Sequence, residues 1–216
     1  MPTPSAAGGA AIDTAGIRTL ALVGPQGAGK TSLAEALLVK AGAIGAAGSL
    51  ERGTTVSDWD PLERKMAHSL NPSVMHLHHA GTRIHLIDTP GAADFIGQSL
   101  PALEAVETAA VVINAATWKV SGIDAMALRM MDYAADRHLD RLIIVNKMDT
   151  AGADLADLLE DIQTTFGKEC LPLNLPANGG TEVVDCFFNL AAQSGHEPDF
   201  GSVEAAASAA GFGCSA

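Results

Sequence analysis

The stretch GPQGAGKTS at residues 24–32 decides the fold of this 216-residue chain. It follows a short apolar run at residues 18–23 and opens a helical pattern that begins at Thr31. Strand, glycine-rich loop and helix, with the spacing GxxxxGK[ST], are typical of a phosphate-binding loop. In such a loop the backbone N–H groups and the helix N-terminus face phosphate oxygens. A glycine-rich turn that contains Lys30 and Thr31 by chance is the alternative, and the flanking strand and helix disfavour it.

We expect nine consecutive residues to bind phosphate: Gly24, Pro25, Gln26, Gly27, Ala28, Gly29, Lys30, Thr31 and Ser32. Among them Lys30 is the candidate catalytic cation, because its ammonium would reach the β and γ phosphates. The Thr31 hydroxyl is a candidate ligand of Mg²⁺.

The second motif, DTPG at residues 88–91, follows the apolar run at residues 83–87. An acidic residue at the carboxyl end of a strand faces the nucleotide crevice of an α/β sheet. We therefore expect Asp88 to hold Mg²⁺ through a water molecule, and the Gly91 N–H to bind the γ-phosphate. Alone, DTPG is a common turn sequence, so its meaning depends on the phosphate loop.

The third motif, NKMD at residues 146–149, follows the apolar run at residues 142–145. A carboxylate at Asp149 would accept two parallel N–H bonds from guanine, which adenine does not offer. Asn146 would support this selection, and the stem of Lys147 would lie over the base. Together the three motifs predict a site for GTP or GDP. An ATP-using enzyme with a phosphate loop stays open as an alternative.

The apolar runs predict an α/β fold. Four runs are apolar on both faces and alternate with helical patterns, which indicates a mostly parallel sheet covered on both sides. The expected architecture is the three-layer sandwich of P-loop NTPases, incomplete at its C-terminal side. Residues 17–150 would form the nucleotide-binding core. Residues 1–16 and 201–216 are rich in small residues, so we expect a disordered leader and a disordered tail.

Charge and hydropathy restrict the partners. The formal net charge is −12, and the acidic excess lies beyond residue 80, which disfavours nucleic-acid binding through a basic patch. No apolar stretch approaches the roughly 18 residues of a membrane helix, so we expect a cytoplasmic monomer without membrane contact. Cys170, Cys186 and Cys214 lack the spacing of a zinc site or a disulfide framework.

These motifs resemble the GTPase domain of translational GTPases, above all elongation factor G and its paralogues. The resemblance covers residues 17–190, and its sequences are GPQGAGKTSLAEALL, GTTVSDWDPLERK, DTPGAADFIG and VNKMD. The GTTVSDWDPLERK stretch also resembles ribosomal protection proteins. The family implies Mg²⁺-dependent hydrolysis of GTP to GDP, with the ribosome as partner where its C-terminal domains are present. Residues 45–73 would be the first switch loop, and residues 151–200 would begin an inserted subdomain.

The chain departs from the family at several positions. Ser69 stands where the family has a Mg²⁺-binding Thr, so we expect Ser69 to be a metal ligand. Ala92 stands where elongation factor G has a His that orients the attacking water, which predicts slow hydrolysis. The family's phosphate-loop Asp is Gly27 here. The chain also ends inside what resembles the insert, so we expect a truncated product. A switch module that does not hydrolyse GTP, or an inactive fragment, are the alternatives.

Two smaller patterns have competing interpretations. His76, His78 and His85 could form a metal cluster on adjacent strands, but an exposed sheet face explains them without a metal. Methionines 126, 130 and 131 recur at helical spacing, which favours core packing over a partner groove.

Overall fold

A five-stranded sheet forms the centre of the computed structural model, which describes residues 14–57, 60–66, 68–151, 155–177 and 182–185. Its strands are β1 (Ile17–Val23), β2 (Ser73–His79), β3 (Thr82–Asp88), β4 (Thr108–Asn114) and β5 (Asp140–Asn146). They lie in the order β2-β3-β1-β4-β5. All neighbours pair in parallel except β2, which runs antiparallel to β3 at one edge. The predicted mostly parallel α/β sheet is therefore confirmed.

Helices connect the strands. They are α1 (Lys30–Lys40), α2 (Pro61–Met66), α3 (Ile96–Leu103), α4 (Ala115–Ser121), α5 (Ala125–Asp136), α6 (Met148–Ala151) and α7 (Leu155–Phe166). A separate antiparallel pair, β6 (Asn174–Ala177) and β7 (Glu182–Asp185), follows α7. Within the described residues, no helix is both long and apolar enough to cross a bilayer.

The central strands bury both of their faces. In β1, Ala21 and Val23 pack toward α3 and α5, whereas Leu22 between them packs toward α1. In β4, Val111 and Val112 divide between the same two layers. Burial of each large apolar side chain contributes roughly 1.5–3 kcal/mol, so these alternating residues fix the sheet between two helical layers. The three methionines of α5 lie in the α3/α5 layer, which confirms that they are core residues.

The strand register brings the motifs to one edge of the sheet. Leu22 of β1 pairs with Asp88 of β3, and Asn114 of β4 pairs with Asn146 of β5. Because β1, β3, β4 and β5 are parallel, the loops that leave their carboxyl ends lie side by side. All three sequence motifs occupy those loops.

The last residues of the expected leader lie within the described part of the chain. Thr14–Gly16 form a 3₁₀ turn directly before β1. The guanidinium of Arg18 donates to the Ala15 carbonyl at 3.1 Å and holds this turn on the strand. The remainder of the leader, residues 1–13, and the expected tail, residues 201–216, lie outside the described residues. The C-terminal incompleteness that we predicted concerns residues beyond 185, which also lie outside them.

Candidate nucleotide-binding site

The loop at residues 24–29 curls tightly between β1 and α1, and Lys30, Thr31 and Ser32 form the first turn of that helix. Gly24 and Gly29 have φ values of 133° and 92°, where L side chains are strained. A Cβ at Gly24 would lie 2.5 Å from the Val112 carbonyl oxygen. At Gly29 a Cβ would collide with the side-chain nitrogen Nδ2 of Asn146. The two glycines therefore allow the loop to pack closely on β4 and on the end of β5.

Lys30 is the buried cation of this loop, with 6% of its surface exposed. Its Nζ donates to the carbonyl oxygens of Gly24 and Pro25 at 2.8 and 2.9 Å. Burial lowers the pKa of Lys30 to about 8, while the nearby carboxylates of Asp88 and Asp124 act in the opposite direction. A cation that has lost its water in this way gains strongly from a phosphate anion.

The DTPG motif lies directly against the phosphate loop. The Thr31 hydroxyl donates to Asp88 Oδ2 at 2.6 Å, and both side chains are buried. Thr89 fixes the motif through a 2.7 Å bond from its hydroxyl to the Leu22 carbonyl. A Cβ at Gly91 would lie 2.6 Å from the Gln26 nitrogen, so Gly91 packs on the loop with no room for a side chain.

The NKMD motif is bonded to the phosphate loop. Asn146 Nδ2 donates to the Ala28 carbonyl at 2.9 Å, and its Oδ1 accepts from the Lys147 N–H at 2.9 Å. Lys147 adopts a left-handed φ of 60°, which turns the chain sharply after β5. Asp149 is exposed at the start of α6. Asn146, Lys147 and Asp149 also line a cavity of about 970 Å³ that extends along β5 and α7.

The expected first switch loop contacts the stretch that follows DTPG. His68 packs its ring against Phe95, with the centroids 6.2 Å apart, so residues 45–73 contact the stretch after DTPG. Ser69 is half-buried in the loop between α2 and β2. Ala92 is half-buried and caps the 3₁₀ turn at Ala93–Phe95. The metal role of Ser69 stays a prediction.

Sequence reasoning missed several residues of the site. Asn114 at the end of β4 donates to the Gly27 carbonyl at 3.4 Å and caps α4 through its Oδ1. Asp124 caps α5, and its negative charge raises the pKa of Lys30, against the larger effect of burial. Each stands at a boundary between a strand or loop and a helix, and such capping positions are the signal that could have identified them.

Residues suited to binding Mg²⁺ lie beside the phosphate loop. The Thr31 hydroxyl and the Asp88 carboxylate are hard oxygen donors, and a small donor set of this kind suits an ion that takes its other ligands from phosphate and water. In the described part of the chain, no three His, Cys, Asp or Glu side chains form a metal site of their own. The histidine cluster is therefore not a metal site as placed. His76 and His78 share the exposed face of β2, and His76 pairs with His85 across the strands.

Comparison with known proteins finds translation factors among the proteins that resemble this chain. The family model of the elongation factor Tu GTP binding domain matches residues 15–213. An elongation factor G-like protein of Mycobacterium tuberculosis is 38% identical over 177 residues, which cover 80% of this chain and 24% of that protein. Peptide chain release factor 3 of Nitrosomonas eutropha is 35% identical over 167 residues, covering 76% of this chain and 30% of that protein.

A crystal structure from Thermus thermophilus has a TM-score of 0.73 and 39% sequence identity, over 80% of this chain and 26% of that chain. The chain thus spans less than a third of the length of each of the two curated relatives described above. The range matched by the family model includes all three motifs.

Proposed function

The chain belongs to the translational GTPases, as an elongation-factor-G-like GTP-binding domain, and from this premise we propose that it binds GTP with Mg²⁺ and hydrolyses it slowly to GDP. The observation that carries the proposal is the convergence of three motifs on one crevice. Thr31 bonds Asp88, Gly91 packs on the phosphate loop, and Asn146 bonds Ala28.

The phosphate end of the crevice supplies positive charge and backbone donors. In the proposal, residues 24–32 surround the phosphates, Lys30 contacts the β and γ phosphates, and the Gly91 N–H binds the γ-phosphate. Thr31 and Ser69 would ligate Mg²⁺, and Asp88 would hold it through a water molecule. The metal would neutralise the charge that develops on the transferred phosphoryl group.

The base end would select guanine. Asp149 would accept two N–H bonds from the base, with Asn146 fixing the loop and Lys147 covering the ring. A site built on such bonds rejects an analogue that cannot make them by roughly 10⁴. The bond from Asn146 to the Ala28 carbonyl supports this assignment, because it joins the NKMD motif to the phosphate loop.

Hydrolysis would be slow because a methyl group at Ala92 neither donates nor accepts a hydrogen bond. Loss of a water-orienting group in such sites costs orders of magnitude in rate. The same residue favours a second candidate function, a guanine-nucleotide switch that holds GTP without turnover.

A single-turnover assay with GTP and Mg²⁺, with and without ribosomes, separates these functions. Slow release of phosphate that depends on Mg²⁺ supports the GTPase. Bound but intact GTP under both conditions supports the switch. Stimulation by ribosomes would establish the ribosome as partner, and a cytoplasmic site of action would follow from that.

A thermal-shift titration tests binding itself. Stabilisation by GDP, with no stabilisation by ATP, is the expected result. Equal shifts with ATP would favour an ATP-using enzyme, and no shift with either nucleotide at millimolar concentration would indicate an inactive fragment.

A further inference from the structure

Glu35 is a buried carboxylate on α1, with 2% of its surface exposed. Its two oxygens accept bonds from the backbone of a distant loop. Oε2 accepts from the Gly48 N–H at 2.7 Å, and Oε1 accepts from the Val56 N–H at 2.6 Å. Bonds from N–H groups to an ionised oxygen are about twice as strong as neutral ones, so this is a substantial attachment.

Residues 48–56 fold on themselves between those two bonds, and we call them the neck loop. The Ser49 carbonyl accepts from the Arg52 and Thr54 N–H groups at 3.2 and 3.1 Å. A Cβ at Gly48 would lie 2.5 Å from the Thr55 Cα, so the two ends of the loop touch. Glu35 thus fastens both ends of a closed loop to α1.

The chain beyond the neck loop is held at its far end as well. The Ser57 carbonyl accepts from the Ser73 hydroxyl at 3.2 Å, at the start of β2. Glu63 of α2 is 1% exposed, and its Oε1 accepts from the N–H groups of Leu70 and Asn71 at 2.8 and 3.0 Å. Ser69 directly precedes this second attachment. Ser69 is therefore adjacent to a segment that the buried carboxylate of Glu63 holds in place.

We propose that Glu35 is a positioning residue of the nucleotide site, which holds the neck loop on the helix that carries Lys30 and Thr31. Glu35 and Thr31 are four residues apart, so both side chains lie on one face of α1. A shift of α1 toward a bound phosphate would carry the neck loop with it. This inference rests on the proposed function, because the effect on nucleotide presumes that the crevice binds GTP.

Glu35→Gln in the full chain tests the proposal. Gln keeps one carbonyl acceptor and replaces the other oxygen by an amide NH₂ group, which is a donor, so one of the two backbone bonds is lost. We expect amide hydrogen exchange at Gly48 or Val56 to accelerate about tenfold, with β1 and β4 unchanged. Affinity for a non-hydrolysable GTP analogue should fall about fivefold to tenfold, and affinity for GDP by less than twofold, because ordering of switch segments depends on the γ-phosphate. Glu51→Gln, at an exposed position in the same loop, is the matched control and should change neither.

Two results would overturn the proposal: unchanged exchange at both amides, or an equal loss of affinity for GDP and the GTP analogue. If the wild-type chain binds neither nucleotide, the proposed function fails. The attachment is tested separately: it would be refuted if the Gly48 and Val56 amides were equally protected in wild type and Glu35→Gln. Should Glu35→Gln not fold, Val56→Pro removes one donor from the other side of the bond. Val56→Pro must then lower affinity for the GTP analogue more than affinity for GDP.

Discussion

The Thr31 hydroxyl donates a 2.6 Å hydrogen bond to Asp88 Oδ2, in a place where the two residues are 8% and 1% exposed. This bond joins the start of α1 to the end of β3 across 57 residues of sequence. A hydroxyl that donates to a carboxylate keeps its lone pairs available for a metal ion. In the proposed site, the Thr31 hydroxyl would bind Mg²⁺ directly while Asp88 holds the ion through a water molecule.

Removal of the charge at Asp88 tests this arrangement. Asp88→Asn should raise the Mg²⁺ concentration needed for half-maximal GTP binding about tenfold, because the neutral amide no longer orients metal-bound water. Titration of GTP affinity against Mg²⁺ measures the effect. Asp132→Asn, at an exposed position of α5, is the control. Identical Mg²⁺ dependence in Asp88→Asn and wild type would contradict the metal assignment.

Lys30 makes nucleotide binding depend on pH. Its pKa of about 8 in the folded chain lies below the ordinary value of 10.5, because the ammonium is buried. A bound phosphate favours the protonated form. We therefore expect GDP affinity to be constant below pH 7 and to fall as the pH rises through about 8. Binding measured by calorimetry at pH 8.5 should be accompanied by proton uptake.

The same pKa affects the stability of the chain without nucleotide. Between pH 8 and 10.5 the unfolded chain binds more protons at Lys30 than the folded chain, so stability gains from this residue as the pH rises through that window. Lys30→Met should abolish both this gain and the pH dependence of binding. Lys40→Met, at an exposed position of the same helix, should retain both. A wild-type GDP affinity that does not change up to pH 9 would refute the predicted pH dependence of binding.

Gly91 has no space for a side chain. In Gly91→Ala the new Cβ would lie 2.6 Å from the Gln26 nitrogen and 2.7 Å from the Pro25 carbonyl carbon, both backbone atoms. The DTPG motif or the phosphate loop must move, so GDP affinity should fall at least tenfold (about 1.4 kcal/mol). Gly97→Ala is the control, since nothing lies within 4 Å of its Cβ. Because Gly97 lies in α3, this control should leave affinity unchanged and raise stability by up to about 1 kcal/mol.

Much of the fold could be predicted because glycines and charged residues punctuate long apolar runs. The runs before Gly24, Asp88 and Asn146 are strands β1, β3 and β5, although β5 is only half-buried at the edge of the described sheet. Parallel topology then places their loops together. Strand β2 was harder to predict. Its sequence SVMHLHH alternates apolar and polar side chains as an edge strand does, yet the pattern indicated only that its histidines lie on a sheet face and set no bounds for the strand.

The attachments of the site could not be predicted from the sequence. Glu35 and Glu63 look like ordinary polar positions of helices, and only the tertiary structure shows that both are buried and accept backbone bonds from remote loops. Asn146 matches a base-selecting motif, yet its amide bonds the Ala28 carbonyl of the phosphate loop. Local patterns identify residue types and spacing, whereas such contacts depend on how distant loops fold back onto the sheet.

Ala92 allows a direct test of the proposed slow hydrolysis. Its backbone is extended, at φ −74° and ψ 139°, and its side chain is half-buried. Because His fits that backbone, Ala92→His should accelerate single-turnover hydrolysis at least tenfold while GDP affinity stays within twofold of wild type. Ala93→His places the same imidazole one residue later, at an exposed position, and should not accelerate hydrolysis. Equal rates in the two variants would mean that the missing imidazole does not limit the reaction, and the switch without turnover would then be the better description of this domain.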